Sequence, residues 1–177
     1  ADQHLPLWIG DFPRKPLTRL PADPFPDGKP AGTPDGRRIA FSSSRAGVSN
    51  LFWQAADGTG AVDRLTTSPA PHIANSFSPD GKTLIFTEAN SKTGVDLMQL
   101  RLDGSSKIEP LIQTNFIEGN GEISPDGRWI AYQSNESGSF EVYVRPFPKI
   151  DEGRWQVSTG GGSRPAADVV AGSINDS

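Results

Sequence analysis

The chain contains no cysteine. That single absence removes disulfide scaffolds, zinc-thiolate sites, iron–sulfur clusters and thiol catalysis together. Histidine is nearly as scarce, with only His4 and His72. No His-Glu-x-x-His pair occurs, and no second histidine stands near either one, so the sequence predicts no metal site. No apolar run approaches the ~18–20 residues that a helix needs to cross a bilayer, and no membrane insertion is expected. The N-terminal residues Ala1-Asp2-Gln3-His4-Leu5 show neither a basic nor an apolar leader region. Basic residues never cluster beyond two in a row and the formal net charge is −4, which argues against nucleic acid as a partner. Long helical periodicity is missing too: windows free of Pro and Gly with a 3.6-residue repeat amount to weak patches around 165–170.

Turn-forming residues are abundant instead. Nineteen Gly and 16 Pro in 177 residues imply many reversals, which suits an all-β chain of short strands. The reversals are ordered. Ser124-Pro125-Asp126-Gly127-Arg128-Trp129-Ile130-Ala131-Tyr132 recurs as Ser78-Pro79-Asp80-Gly81-Lys82-Thr83-Leu84-Ile85-Phe86. It recurs again as Thr33-Pro34-Asp35-Gly36-Arg37-Arg38-Ile39-Ala40-Phe41, and the Asp-Gly pairs stand 45 and 46 residues apart. A period of about 40–50 residues with strand-like content marks a radially repeated β architecture.

Each unit reads as four short strands. In the first full unit the chain turns at 34–36, runs through 38–43, returns through 50–55 and closes at 62–66. The second has strands at 83–88, 96–102 and 108–113, and the third at 129–134, 140–147 and 155–159. One further strand precedes each Pro-Asp-Gly turn, ending at Gly32, Phe77 or Ile123. Ile39/Phe41, Leu84/Phe86 and Ile130/Tyr132 share one face of the pleat, while Ala40, Ile85 and Ala131 make the other face apolar as well. A strand apolar on both faces is buried on both faces, as in a sheet stacked between neighbouring sheets.

Along the chain, residues 1–32 read as a partial unit and a loop, with strand candidates at 7–11 and 17–20. Residues 33–165 hold the three repeats with turns at 34–36, 79–81 and 125–127. Residues 166–177 read as the leading strand of a further unit and an irregular tail.

The Ser-Pro-Asp-Gly turn followed two residues later by Ile-Ala-Phe/Tyr resembles the TolB-like, WD40-like (PD40) propeller repeat of bacterial proteins, over roughly residues 7–165. Residues 124–148, with Tyr143-Val144-Arg145-Pro146-Phe147-Pro148, look similar to propellers fused behind bacterial serine/threonine kinases. Similar propellers occur in periplasmic TolB and ahead of prolyl-oligopeptidase-type hydrolase domains. The resemblance implies an all-β propeller with three full four-stranded blades and partial blades at each end. Three arrangements follow: a closed four-blade ring, a larger ring completed by a second copy as a homodimer, or part of a longer propeller. It also implies a periplasmic or otherwise extracytoplasmic setting.

Two functional readings remain open. The first is a non-catalytic module that recognises a protein or peptide. In a four-stranded blade the Pro-Asp-Gly turns lie at one face and the remaining connections at the other. That loop face gathers Arg45, His72, Asn90, Lys92, Asn115, Phe116, Glu118, Asn135, Glu136 and Arg164, and loops on a rigid scaffold are where recognition concentrates. The second is a hydrolase, an esterase or peptidase, acting either through a site built on the propeller or as the propeller of a lost catalytic domain. Neither Gly-x-Ser-x-Gly nor Ser-x-x-Lys occurs, so a site would have to be assembled across loops from Ser44 or Ser163 with His72. The glycine run 160–162 lacks the Lys-Ser/Thr of a phosphate loop, and no cofactor is implied. Asp35, Asp80 and Asp126 each stand alone in a turn, where a carboxylate serves backbone amides more readily than calcium.

Overall fold

A computed structural model describes Trp8–Ile9, Thr18–Arg19 and residues 27–165 of the chain. Among these there is no α-helix, only one short 3₁₀ turn at Ile150–Glu152. The two N-terminal strands β1 (Trp8–Ile9) and β2 (Thr18–Arg19) pair antiparallel. Three four-stranded sheets follow, each a meander in chain order. The first holds β3 (Asp27–Gly32), β4 (Arg38–Ser43), β5 (Asn50–Ala55) and β6 (Asp63–Arg64). The second holds β7 (His72–Phe77), β8 (Thr83–Asn90), β9 (Gly94–Arg101) and β10 (Ile108–Ile112). The third holds β11 (Glu118–Ile123), β12 (Trp129–Ser134), β13 (Glu141–Pro146) and β14 (Trp155–Gln156). The further strand expected at 166–170 lies outside the described residues. By contacts the chain forms two compact units, Ala1–Ala74 and Asn75–Ser177, with the boundary inside β7.

The repeated turn is built the same way three times. The hydroxyls of Thr33, Ser78 and Ser124 donate to Asp35, Asp80 and Asp126, each at 2.6 Å. The same carboxylates accept the amides of Arg37, Lys82 and Arg128 at 3.0, 3.0 and 3.1 Å. Gly36, Gly81 and Gly127 take φ of 67°, 69° and 70°, a left-handed conformation that costs a side-chain-bearing residue about 1–2 kcal/mol. These aspartates are turn braces. Their hydroxyl partners, then the backbone amides, hold the carboxyls of Asp35 and Asp80 below the usual range. Ser124 and then Arg128 bring Asp126 down to about 2.

In the first unit, Ala40, Phe41, Leu51 and Phe52 are buried, and the Phe41 and Phe52 rings stack at 6.4 Å. In the second unit the core joins two sheets: Ile85, Leu97, Leu111 and Ile112 meet Ile123, Ile130, Tyr132 and Tyr143. Ile85 and Phe86, on opposite faces of β8, are both fully buried. Burial on this scale contributes ~1.5–3 kcal/mol per large apolar side chain. β11 comes close to β8 and β9 at Gly121. A Cβ there would sit 3.0 Å from the side chains of Ile85 and Leu97, so any larger residue would have to push them aside by a few tenths of an ångström. Ser76 in β7 fastens the junction, accepting the Ile123 amide at 3.2 Å and donating to the Gly121 carbonyl at 2.9 Å. β3 and β11 share a register shift, at Gly28/Ala31 and Gly119/Glu122. Lys29 (φ 43°) and Asn120 (φ 52°) are the left-handed residues of these bulges.

Candidate binding face

The end of each sheet opposite the Pro-Asp-Gly turns is held by a buried polar residue within the first three positions of its third strand. In the first sheet this is Asn50. Its Oδ1 accepts the Thr66 hydroxyl at 3.1 Å and the Ser68 amide at 2.9 Å. Its Nδ2 donates to the carbonyls of Val48 and Ser68. In the third sheet it is Glu141, which accepts the Ser158 hydroxyl at 2.5 Å and the amides of Gly160 and Gly161 at 3.0 and 2.8 Å. In the second sheet it is Asp96. Its Oδ2 accepts from Thr93 at 2.6 Å and from Gln113 at 2.8 Å, but its buried Oδ1 has no hydrogen-bond partner. All three side chains tie the outgoing loop to the sheet, so the loops stand on fixed posts.

The first residues of β7 and β11, the first strands of the second and third sheets, are buried as well. His72 was expected in a loop; it is instead the first residue of β7 and 1% exposed. The Pro-rich stretch before it ends one residue earlier than the composition implies. Its Nδ1 meets the Thr66 hydroxyl at 2.9 Å and its amide donates to the Ser49 carbonyl. Glu118, the equivalent residue of β11, is 2% exposed and accepts from the Thr114 hydroxyl at 2.5 Å. Burial raises its carboxyl to about 7; the Thr114 bond opposes the rise, and Asp96 and Glu136 add to it. Neither side chain is offered to solvent. Both work from beneath the loops.

In the first unit, Arg45 is half-buried, donates Nε to the Ser43 hydroxyl at 3.0 Å, and lies 5.1 Å from the Phe41 and Phe52 ring centres. Its head is occupied by the core edge. Of the residues proposed for catalysis, Ser44 and His72 fall in this unit and the exposed Ser163 in the other.

The second unit assembles most of the candidate face. The turns 91–93 and 135–140 and the connections 113–117 and 157–164 all sit at one end of its sheets. Val95 bridges to Ile117, and the Ile117 amide donates to Asn135 Oδ1 at 2.8 Å. Asn135 is therefore a brace between two loops. Asn90 likewise caps its own turn, accepting the Lys92 amide at 2.9 Å. Glu136 pairs with Arg154, whose guanidinium also lies 5.7 Å from the Tyr143 ring centre. The Arg164 amide donates to Gln133 Oε1 at 3.3 Å, leaving the side chain at the surface. Lys92, Asn115 and Ser163 are exposed. Phe116 and Phe140 are exposed at 41% and 39%, the two exposed large apolar side chains of this end among the described residues.

Phe140, Arg154 and Asp96 were not anticipated. Phe140 reads as a strand residue by alternation, yet β13 begins at Glu141 and leaves the ring in the turn. Among the described residues no group of three or more His, Asp or Glu is placed to hold a metal ion. No helix among them is long and apolar enough to cross a membrane.

Comparison with known proteins places this geometry. An uncharacterised protein of Agrobacterium fabrum strain C58 is 27% identical over 117 residues, covering 63% of this chain and 37% of that protein. A TolB-type structure from Agrobacterium tumefaciens superposes with a TM-score of 0.78 at 19% identity, covering 94% of this chain and 61% of its own. TolB from Acinetobacter baumannii gives 0.77 at 22% identity, covering 92% and 41%. The chain thus spans less than two thirds of each of these relatives. At these identities the structures speak for the fold: the three sheets are propeller blades. The profile of the TolB β-propeller domain, PD40, matches residues 1–145, and the chain belongs to that family.

Proposed function

We propose that the chain is a non-catalytic propeller module that recognises a protein or peptide through its loop face. The observation that carries this reading is the pair of exposed aromatics, Phe116 and Phe140, standing among exposed polar groups at one end of two fastened sheets. Aromatic rings on a rigid frame supply contact area with little entropy to lose, which is the usual make-up of a binding hot spot. The Asn115 and Arg164 side chains add hydrogen-bonding groups beside them. The division into a partial blade (1–32), three blades (33–165) and a leading strand with tail (166–177) is part of this proposal. So are a homodimer that completes a larger ring and an extracytoplasmic, periplasmic setting, which rest on the family resemblance.

The test is selection of peptides from a displayed random library on the immobilised chain. Enriched peptides should lose about tenfold or more in affinity with Phe116→Ala, the cost of one interface aromatic. Lys82→Ala, at the opposite end, should leave affinity unchanged. Peptides indifferent to Phe116 but sensitive to Lys82 would overturn the loop-face assignment. A fluorogenic ester and peptide panel addresses catalysis: turnover abolished by Ser44→Ala or Ser163→Ala would replace the binding reading with a hydrolase. Light scattering across a dilution series addresses assembly, since a homodimer must show twice the chain mass.

A further inference from the structure

The second and third sheets show how one blade receives the next. The face of the second sheet that carries Ile85, Leu97, Leu111 and Ile112 packs against Ile123, Ile130, Tyr132 and Tyr143 of the third. Register identifies the matching face one sheet further on. Thr83 pairs with Arg101 and Ile85 with Gln99, as Trp129 pairs with Pro146 and Ala131 with Val144. Glu122 pairs with Ala131, and Val144 pairs with Trp155, so these side chains share that face of the third sheet. Ala131 and Val144 form its buried floor, with Trp129 and Val157 packed against them.

The rims of the two faces differ. In the second sheet Thr83 and Arg101 border an open cleft of about 300 Å³. The third sheet has Trp129 and Pro146 at the same two positions. Trp155 adds a second indole, 50% exposed and set edge-on to Trp129 with ring centres 5.7 Å apart. A rim that borders water stays polar, whereas exposed apolar rings side by side mark a contact. The charges around them are already matched. Arg128, Lys149 and Arg154 pair with Asp126, Glu152 and Glu136, so the rim carries little net charge for a partner to meet.

Glu122 supplies an independent sign. It stands two residues before Ser124, as Ser76 stands two before Ser78. Ser76 fastens β11 to the second sheet, accepting the Ile123 amide and donating to the Gly121 carbonyl. Glu122 is half-buried and makes no hydrogen bond among the described residues. It is an acceptor placed where the second sheet binds the backbone of the strand that covers it.

We propose that this face of the third sheet, rimmed by Trp129, Pro146 and Trp155, is the surface on which a second copy of the chain docks. The docking rests on the homodimer of the preceding section and gives it a surface. The face continues an interface already made once within the chain, and a second copy brings a sheet built from the same repeat. Trp155 is the anchor: the ring is large and already held against Trp129, so it loses little freedom on contact. Glu122 accepts an amide of the incoming strand, as Ser76 accepts that of Ile123. Phe116 and Phe140 lie at the opposite end of the sheets and stay open to a peptide.

The test is sedimentation velocity of the full chain across a wide dilution series. The wild-type chain should pass from monomer to dimer, and Trp155→Lys should weaken that association about a hundredfold, the scale of a lost aromatic anchor. Phe116→Ala should leave the dimer unchanged, so peptide recognition and docking are read separately. A chain that stays monomeric at every concentration, as when another part of the same chain covers the face, overturns the docking together with the homodimer and leaves the loop-face reading standing. A dimer that Trp155→Lys leaves at full strength overturns the docking surface alone. If Trp155→Lys fails to fold, the indole N–H resonance of Trp155 in the wild-type chain decides, identified by its loss in Trp155→Phe. It should shift in step with the dimer fraction, and a resonance that stays fixed through the association overturns the docking surface.

Discussion

The two ends of each blade obey different rules. At the turn end, Thr33, Ser78 and Ser124 make the same bonds to Asp35, Asp80 and Asp126 within a tenth of an ångström. At the loop end, the corresponding posts are Asn50, Asp96 and Glu141, three different residues with three different sets of partners. A turn between the same two strand directions has one good backbone solution, so the chain repeats it. A loop that leads away from the blade has no single solution, and its post changes with its length and composition. Uniformity therefore marks scaffold, and divergence marks the surface on which recognition can be built. Divergence has a cost, visible in the middle blade, where Asp96 leaves an oxygen unpaired.

The contrast breaks most severely at Asn50. Replacing it with Ala removes one partner of the buried Thr66 hydroxyl and leaves the half-buried Ser68 amide and the Val48 and Ser68 carbonyls without this side chain's bonds. Roughly 3 kcal/mol of stability should be lost, measured by urea denaturation. A loss below about 1 kcal/mol would mean that the posts are incidental. A smaller and more even effect is expected at the turns. Gly36→Ala and Gly127→Ala each force a side chain into φ near +70° and should cost about 1 kcal/mol apiece. Gly127→Ala should be slightly the worse, because its Cβ meets Pro79 at 3.4 Å, whereas that of Gly36 meets nothing. Clearly unequal costs in the opposite order would show that the turns are not equivalent.

The same contrast explains what could be read from the chain alone. Turn chemistry is local: Ser-Pro-Asp-Gly carries its own hydrogen bonds, so the strands flanking it, such as Arg38–Ser43 and Trp129–Ser134, were legible residue by residue. Alternation then put Ile39 and Phe41, and Ile130 and Tyr132, on shared faces. The loop end depends on partners far apart in the chain. Ser76 reads as an ordinary strand serine until it is seen bridging to Gly121 and Ile123, more than 40 residues away. His72 and Glu118 read as polar loop residues, and both turn inward because Thr66 and Thr114 wait for them. Asn135 read as a surface group and is a brace to Ile117. Phe116 stayed outside because the short bond from its own amide to Thr114 fixes the turn. Gly121 carried no signal beyond its glycine, since what it must avoid belongs to β8 and β9.

The finest distinction between the ends is tested by giving the middle blade the post of the first. Asp96→Asn preserves an oxygen to accept from Thr93 and Gln113 and replaces the orphaned Oδ1 with an N–H donor. It also removes one negative charge from beside Glu118. The substitution should therefore stabilise the chain at pH 8 by up to about 1 kcal/mol, the net worth of one hydrogen bond gained at a previously unsatisfied site. Below pH 5, where Glu118 is neutral, the gain should shrink, because the charge that Asn removes no longer faces a second carboxylate. Paired denaturation curves at the two pH values give the sign directly. Destabilisation at both would mean that the Asp96 carboxylate is satisfied in solution and that the middle post differs from Asn50 in kind, not in an unmet bond.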